Sequence, residues 1–304
     1  MKQKASRMSI LITGSNGFIG QRLSTFLEKG NKTSVLRCSR TIGAGARYVR
    51  ARNLDVTSPE FLRSYRGNKI DFIIHLAAKT SIEDSIKNPY NTYFTNITGT
   101  LNLLEFARIN GIRNFIFVST YIYGKPNYLP IDETHPIMPH TPYNKSKFLA
   151  EKLCEYYSSE YDLNIVTLRP FNIYGASNKE FSLIQRIMNA INNDEVLVLN
   201  GARLRRDFLY IDDFVDLISK ILVNFPAKYN VYNVGYGVSH NLRDVARIVA
   251  QLMNKAIRIQ FRKQIAMEIV DISADISKVS RKFDWRPKID LELGLKLVIR
   301  NSQK

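Results

Sequence analysis

With 304 residues, 45% of them hydrophobic and 23% charged, the chain has the length of one large domain or two coupled ones and the composition of a soluble globular enzyme. No apolar run approaches the roughly 20 residues that cross a bilayer, which argues against a membrane-spanning protein. The formal net charge of +17 fits either a face for phosphate-bearing ligands or nucleic acid, or a basic surface with no specific partner. The basic residues are spread along the chain, which favours the second reading and does not point to nucleic acid.

The basic, polar stretch 1–9 leads into Ile10-Leu11-Ile12, too short an apolar core for a secretion signal, so a cytoplasmic location is expected. Cys38 and Cys154 stand far apart with no CxxC spacing, and the four histidines form no metal-ligand pattern. Neither a disulfide nor a metal site is expected. Short apolar runs at 10–13, 34–37, 71–76, 114–119 and 165–169 read as strands. Helical patterns at 17–27, 93–110 and 143–161 separate them, an alternation that predicts an α/β fold with a doubly wound parallel sheet. After Pro170 the segments shorten: helices at 181–193, 212–223, 242–253 and 291–299, strands at 196–199, 207–211 and 257–261. A smaller α/β lobe is expected there.

Gly14-Ser15-Asn16-Gly17-Phe18-Ile19-Gly20 follows the first strand and opens a helix, where a glycine fingerprint has physical meaning. Gly14 suits the tight turn, Gly17 the close approach of a pyrophosphate, and Gly20 the packing of helix on sheet. The helix N-terminus offers free N–H groups to phosphates, so a Rossmann dinucleotide site is predicted. A glycine-rich turn without a ligand is the bland alternative. At the end of the second strand, where an NAD enzyme carries a carboxylate, the chain has Arg37-Cys38-Ser39-Arg40. Two arginines and a serine suit a 2′-phosphate, which points to NADP with NAD as the alternative. Asp55 falls where a carboxylate can accept the adenine amino group.

Tyr143 and Lys147 are four residues apart near the start of a helix, so their side chains share a face. A phenol with a pKa near 10 is a poor base, and an adjacent ammonium favours its phenolate. A depression of about 3 units takes about 4 kcal/mol. Upstream, Ser119-Thr120 ends a strand at the edge where open α/β sheets bind ligands. Either hydroxyl can bond a substrate oxygen, and either can simply cap the next turn.

Taken together, Gly14–Gly20, His75-Leu76-Ala77-Ala78, STYIYG ending at Gly124, Tyr143–Lys147, LRPFNIYG ending at Gly175 and RDFLYIDD from Arg206 resemble the NAD-dependent epimerase/dehydratase family. These are the extended short-chain dehydrogenases/reductases, UDP-glucose 4-epimerase-like, and the likeness extends from about residue 10 to 287. It implies a Rossmann domain over 1–170, with 207–235 returning to it, and a nucleotide-sugar-binding lobe from 171–206 and 236–304. Asn16, Phe18, Ile19, Val56, Leu76, Ala77, Ala78 and Asn96 would join the glycines, Arg37, Ser39, Arg40 and Asp55 around the cofactor. The resemblance makes Tyr143 the acid or base and Lys147 the holder of the nicotinamide ribose. Counted back from Gly124, Ser119 matches the catalytic hydroxyl, with Thr120 beside it. Thr80, Asn172 and Arg206 would bind a nucleotide-diphosphate sugar. A homodimer through the Tyr143 helix and the one before it is also implied, with apolar positions at Leu149, Leu153 and Tyr157. Thr120-Tyr121 stands where 4,6-dehydratases carry Asp-Glu, which disfavours dehydration, and the surroundings of Arg262 depart from the family's second diphosphate arginine. Hydride transfer at the sugar C4, as a 4-ketoreductase or a 4-epimerase, is the expected function. The alternative is a non-catalytic dinucleotide- or RNA-binding member of the fold, against which Ser119, Tyr143 and Lys147 stand together.

Overall fold

The structure is a computed structural model that describes residues 7–29, 32–40, 51–65, 67–176, 182–262 and 269–302. In chain order its elements are β1 (Met8–Thr13), α1 (Phe18–Lys29), β2 (Thr33–Ser39), β3 (Ala51–Asn53), α2 (Phe61–Ser64), β4 (Phe72–His75), α3 (Ile82–Lys87), α4 (Pro89–Tyr93), α5 (Gly99–Ile109), β5 (Asn114–Val118), α6 (Pro142–Glu160) and β6 (Asn164–Pro170). There follow β7 (Asn172–Tyr174), α7 (Leu183–Asn192), β8 (Val196–Asn200), β9 (Arg205–Tyr210), α8 (Ile211–Val223), β10 (Tyr229–Val234), β11 (Ser239–Asn241), α9 (Leu242–Leu252), β12 (Arg258–Arg262), α10 (Ser277–Phe283) and α11 (Leu291–Ser302). No described helix is long and apolar enough to cross a membrane.

The chain divides into two compact units. The first comprises 1–122, 139–169 and 218–232, and its seven-stranded sheet runs β10-β6-β5-β4-β1-β2-β3. Neighbours from β6 to β3 pair in parallel. Parallel strands covered on both faces read as unbroken apolar runs, and Ile10–Ile12, Ile73–Ile74 and Phe115–Phe117 are completely buried. Leu103, Leu104 and Phe106 of α5 pack into the same core, where Phe106 meets Phe61 edge to face. Each such side chain contributes about 1.5–3 kcal/mol by leaving water.

The helical pattern at 93–110 is not one helix. A π-turn over Phe94–Thr98 separates α4 from α5, and the first residue of α5 is Gly99, where a Cβ would come 2.7 Å from Val56 Cγ2. Proline at N1 and the Thr141 hydroxyl, which accepts the Asn144 N–H, start α6.

The second unit comprises 123–138, 170–217 and 233–304. In it β9 pairs in parallel with β7 and antiparallel with β11, while β8 pairs in parallel with β12. Two buried carboxylates knit it together. Asp207 accepts the backbone N–H groups of Tyr236, Gly237 and Ala274, and Asp213 accepts those of Lys288 and Ile289. The grouping differs from a boundary at 170 in two places. Segment 123–138 belongs with the second unit, since Ile131 bonds Ser273 and Asp275 and the Tyr123 hydroxyl donates to Asn233. Residues 207–217 also belong there, because β9 joins the three-stranded sheet and only 218–232 return to the first unit.

Candidate active site

The glycine turn is built from backbone. Gly14 has a positive φ of 68°, and a Cβ on it would lie 2.7 Å from the Ala77 nitrogen. Gly20 is required for a different reason than the expected packing on the sheet: its Cβ would stand 2.2 Å from the Gly14 carbonyl oxygen, inside the turn itself. Gly17 donates to the Gly14 carbonyl, and Gln21 donates back to Gly17. The N–H groups of Phe18 and Ile19, in the first turn of α1, therefore have no acceptor within the helix. Asn16 is half-buried in the turn.

A run of contacts carries this turn to the catalytic helix. Leu76 donates to Thr13, and Ala77 and half-buried Ala78 follow it past Gly14. Lys79 then exchanges bonds with Asn96, donating its N–H to Oδ1 at 2.8 Å and accepting from Nδ2 at 3.0 Å. Asn96 Nδ2 also donates to Ser146 Oγ at 2.8 Å, and Ser146 donates to the Tyr143 carbonyl at 2.8 Å. The buried Asn96 side chain is thereby committed to holding α6 against the end of β4. Asn96 lies in the π-turn, and π-turns recur at functional sites.

The loop after β5 is tied to the same helix. Asn144 Nδ2 donates to the Tyr121 carbonyl at 2.8 Å, and Thr120 hydrogen-bonds the Tyr143 phenol. Ser119 is buried and its Oγ has no partner. A buried hydroxyl without a bond costs free energy, which a ligand oxygen that reached it and accepted its proton would recover. One turn beyond Tyr143, the Lys147 ammonium lies 4.1 Å from the centre of the Phe117 ring. Burial pushes its pKa down to about 8, and the negative charge of Glu151 opposes part of that shift. Tyr143 does not show the expected depression. Burial raises its pKa, and the Thr120 hydrogen bond only offsets part of that, because desolvating a phenolate outweighs one donor. His75 is fixed between the Thr13 and Thr100 hydroxyls, and burial, with the charge of Lys147, holds its pKa well below the usual value.

Around the expected adenosine end the outcome is mixed. Ser15 donates to the Cys38 carbonyl, which brings the end of β2 to the glycine turn, with Ser39 half-buried and Arg40 exposed there. Arg37 is not displayed toward a 2′-phosphate. It is buried on the α1 side, with its Nε and Nη2 on both carboxylate oxygens of Glu28. Asp55 Oδ1 accepts the N–H and hydroxyl of Thr57. The Val56 side chain is buried against Gly99 and its carbonyl is taken by Asn102, so its side chain serves packing. Thr80 is exposed just before Ser81, the cap of α3. In the second unit, Asn172 on β7 donates to the Asp207 carbonyl, and Arg206 Nη1 donates to the carbonyls of Arg205 and Val270.

A family model for the NAD dependent epimerase/dehydratase family matches residues 10–235. The chain belongs to this family. Among its relatives is a putative UDP-glucose 4-epimerase of Methanocaldococcus jannaschii, 29% identical over 95% of this chain and 97% of its own. The fold matches the UDP-glucose 4-epimerase of Thermotoga maritima, solved with UDP-glucose, with a TM-score of 0.90 and 26% identity over 98% of this chain and all of that one. The UDP-glucose 4-epimerase of Thermus thermophilus, in complex with NAD, gives a TM-score of 0.88 and 26% identity over 97% and 99%. As a member of the epimerase/dehydratase family the chain calls for a dinucleotide, and its residues fit one. The forced conformation at Gly14 and the open first turn of α1 are what such a ligand needs. The Glu151–Arg169 pair behind Lys147 joins residues from separate elements, and its one trace in the sequence is that Glu151 continues the four-residue spacing of Tyr143 and Lys147.

Proposed function

We propose that the protein is a nucleotide-sugar 4-epimerase that moves a hydride to and from the sugar C4. The unpartnered Ser119 hydroxyl, in a loop bonded to Tyr143 through Thr120, is the observation that carries this reading. When bound, the dinucleotide supplies the hydride acceptor and donor. The N–H groups of Phe18 and Ile19 would hold its pyrophosphate, and Lys147 its nicotinamide ribose. Ser119 would donate to the C4 oxygen and keep it oriented. Tyr143 would take the proton of the C4 hydroxyl and return it to the C4 ketone after the sugar turns over. Asn172 and Arg206 are proposed to contact the nucleotide-diphosphate part of the substrate. The UDP-sugars in the names and complexes of relatives support that substrate class.

A 4-ketoreductase using NADPH is the second reading. Burial favours the neutral Tyr143 phenol, the form that donates a proton to a ketone. The described end of β2 carries Arg40 and no carboxylate, which suits a 2′-phosphate, although Arg37 is committed elsewhere. Releasing the dinucleotide from the purified protein distinguishes the two. Bound NAD with interconversion of C4-epimeric UDP-sugars supports the epimerase; NADPH oxidation by a 4-keto-sugar nucleotide supports the reductase; neither result would sink both.

A homodimer through α5 and α6 is part of the proposal. Tyr90, Ile86, Leu101 and Leu149 are exposed on α3 to α6, and Tyr90 stacks on Phe94. Of the positions expected on that surface, Leu149 is exposed, Leu153 is half-buried against the core and Tyr157 is buried in it. A cytoplasmic location is proposed with it, supported by Cys38 and Cys154 being free thiols.

A further inference from the structure

We propose that Glu151, held in place by Arg169, is the counter-charge that keeps the Lys147 ammonium protonated, so that this buried pair sets the charge of the site in addition to joining α6 to β6. This rests on the reading of Tyr143 and Lys147 given above. Tyr143, Lys147 and Glu151 follow one another at four-residue intervals and lie along one face of α6. Arg169 Nε lies 3.1 and 3.2 Å from the two Glu151 carboxylate oxygens, and its Nη2 2.7 Å from one of them. The two side chains are 6% and 2% exposed.

Stability alone does not account for such a pair. Two charges taken out of water recover little more than the cost of desolvation, and apolar residues of the same volume commonly do as well. Its surroundings suggest what it does. From β4, His75 faces Lys147 and is held neutral by burial. From β5 comes the uncharged Phe117 ring, and from α6 itself the Cys154 thiol and the Tyr143 phenol, both pushed up by burial and so protonated. From β10, Tyr229 donates its hydroxyl to the Glu151 carbonyl, and its pKa too is raised by burial. From β6 comes the Arg169 guanidinium. Glu151 is the carboxylate in this set, buried one helical turn beyond Lys147 on the same face of α6, where its negative charge favours the ammonium. Arg169 occupies the carboxylate oxygens and thereby lets the anion stay buried.

The test is an NMR titration of the full-length protein carrying lysine labelled with carbon-13 at Cε, with the Lys147 signal assigned by its loss in Lys147→Met. The wild-type midpoint is expected at about 8. In Glu151→Gln/Arg169→Met, which removes both charges of the pair, it should fall by about one unit. Glu151→Gln alone should lower it further, since Arg169 is then uncompensated, and serves if the double variant does not fold. An unchanged midpoint in either folded variant overturns the proposal. The readout needs no turnover, so a wild-type protein that shifts as expected but acts on no sugar nucleotide would refute the reaction and not this assignment.

Discussion

Asp207 and Ser119 are both buried polar side chains, one in each unit, and their bonding capacity is used in opposite ways. Asp207 takes three backbone N–H groups from two separate stretches of chain and ties β9 to both. Ser119 sits at the end of β5 with no partner for its hydroxyl, next to a residue bonded to the phenol. Saturated polar groups hold the fold, whereas an unsaturated one beside titratable neighbours marks a place where a ligand completes the bonding. Another buried hydroxyl, that of Ser24, also lacks a partner. Ser119 differs from it by its place in the loop joined to Tyr143.

The largest expected effect breaks the saturated side. Asp207→Ala strands three N–H groups and should cost about 4 kcal/mol in urea unfolding; a loss under about 1 kcal/mol would show that the network can rearrange. Next comes the buried cation. The folded chain releases the Lys147 proton at about 8, against 10.5 for an ordinary lysine, so between those values the unfolded chain binds more protons and stability rises with pH. Fully developed, this amounts to about 3 kcal/mol. Lys147→Met should flatten the rise, as read from melting temperatures across that range, and a rise that survives would place it on another group.

On the unsaturated side, Ser119→Ala should lower kcat by roughly 100-fold while stability stays within about 0.5 kcal/mol, because no protein bond is lost. Matching losses in both would make Ser119 a fold residue like Asp207. The smallest effect is that of Arg37→Met. Loss of the pair with half-exposed Glu28 should cost about 1 kcal/mol and leave the NADP-to-NAD preference unchanged. A switch in that preference would return Arg37 to the cofactor site.

Structure that is dictated by neighbours in the sequence is legible in the residues. The strand–turn–helix around Gly14, the apolar strands β4 and β5, and the spacing of Tyr143 and Lys147 are all local patterns, and each lies where its residues indicated. What was illegible depends on contacts far along the chain. Arg37 reads as a phosphate ligand until Glu28, nine residues back on α1, is seen to take its guanidinium. Asn96 reads as one residue of a continuous helix, yet its bonds to Lys79 and Ser146 go with a π-turn. The position of 123–138 is set by Ile131 meeting Ala274, a pairing that no local pattern announces. Short strands such as β3, β7 and β11 carry too few residues to show a period.

The central claim is that Tyr143 moves the proton that accompanies hydride transfer at C4, and Tyr143→Phe tests it most directly. Turnover of the UDP-sugar by the variant should fall by at least about 100-fold while dinucleotide binding, measured by calorimetry, stays within a few-fold of wild type. Wild-type turnover by Tyr143→Phe would contradict the account.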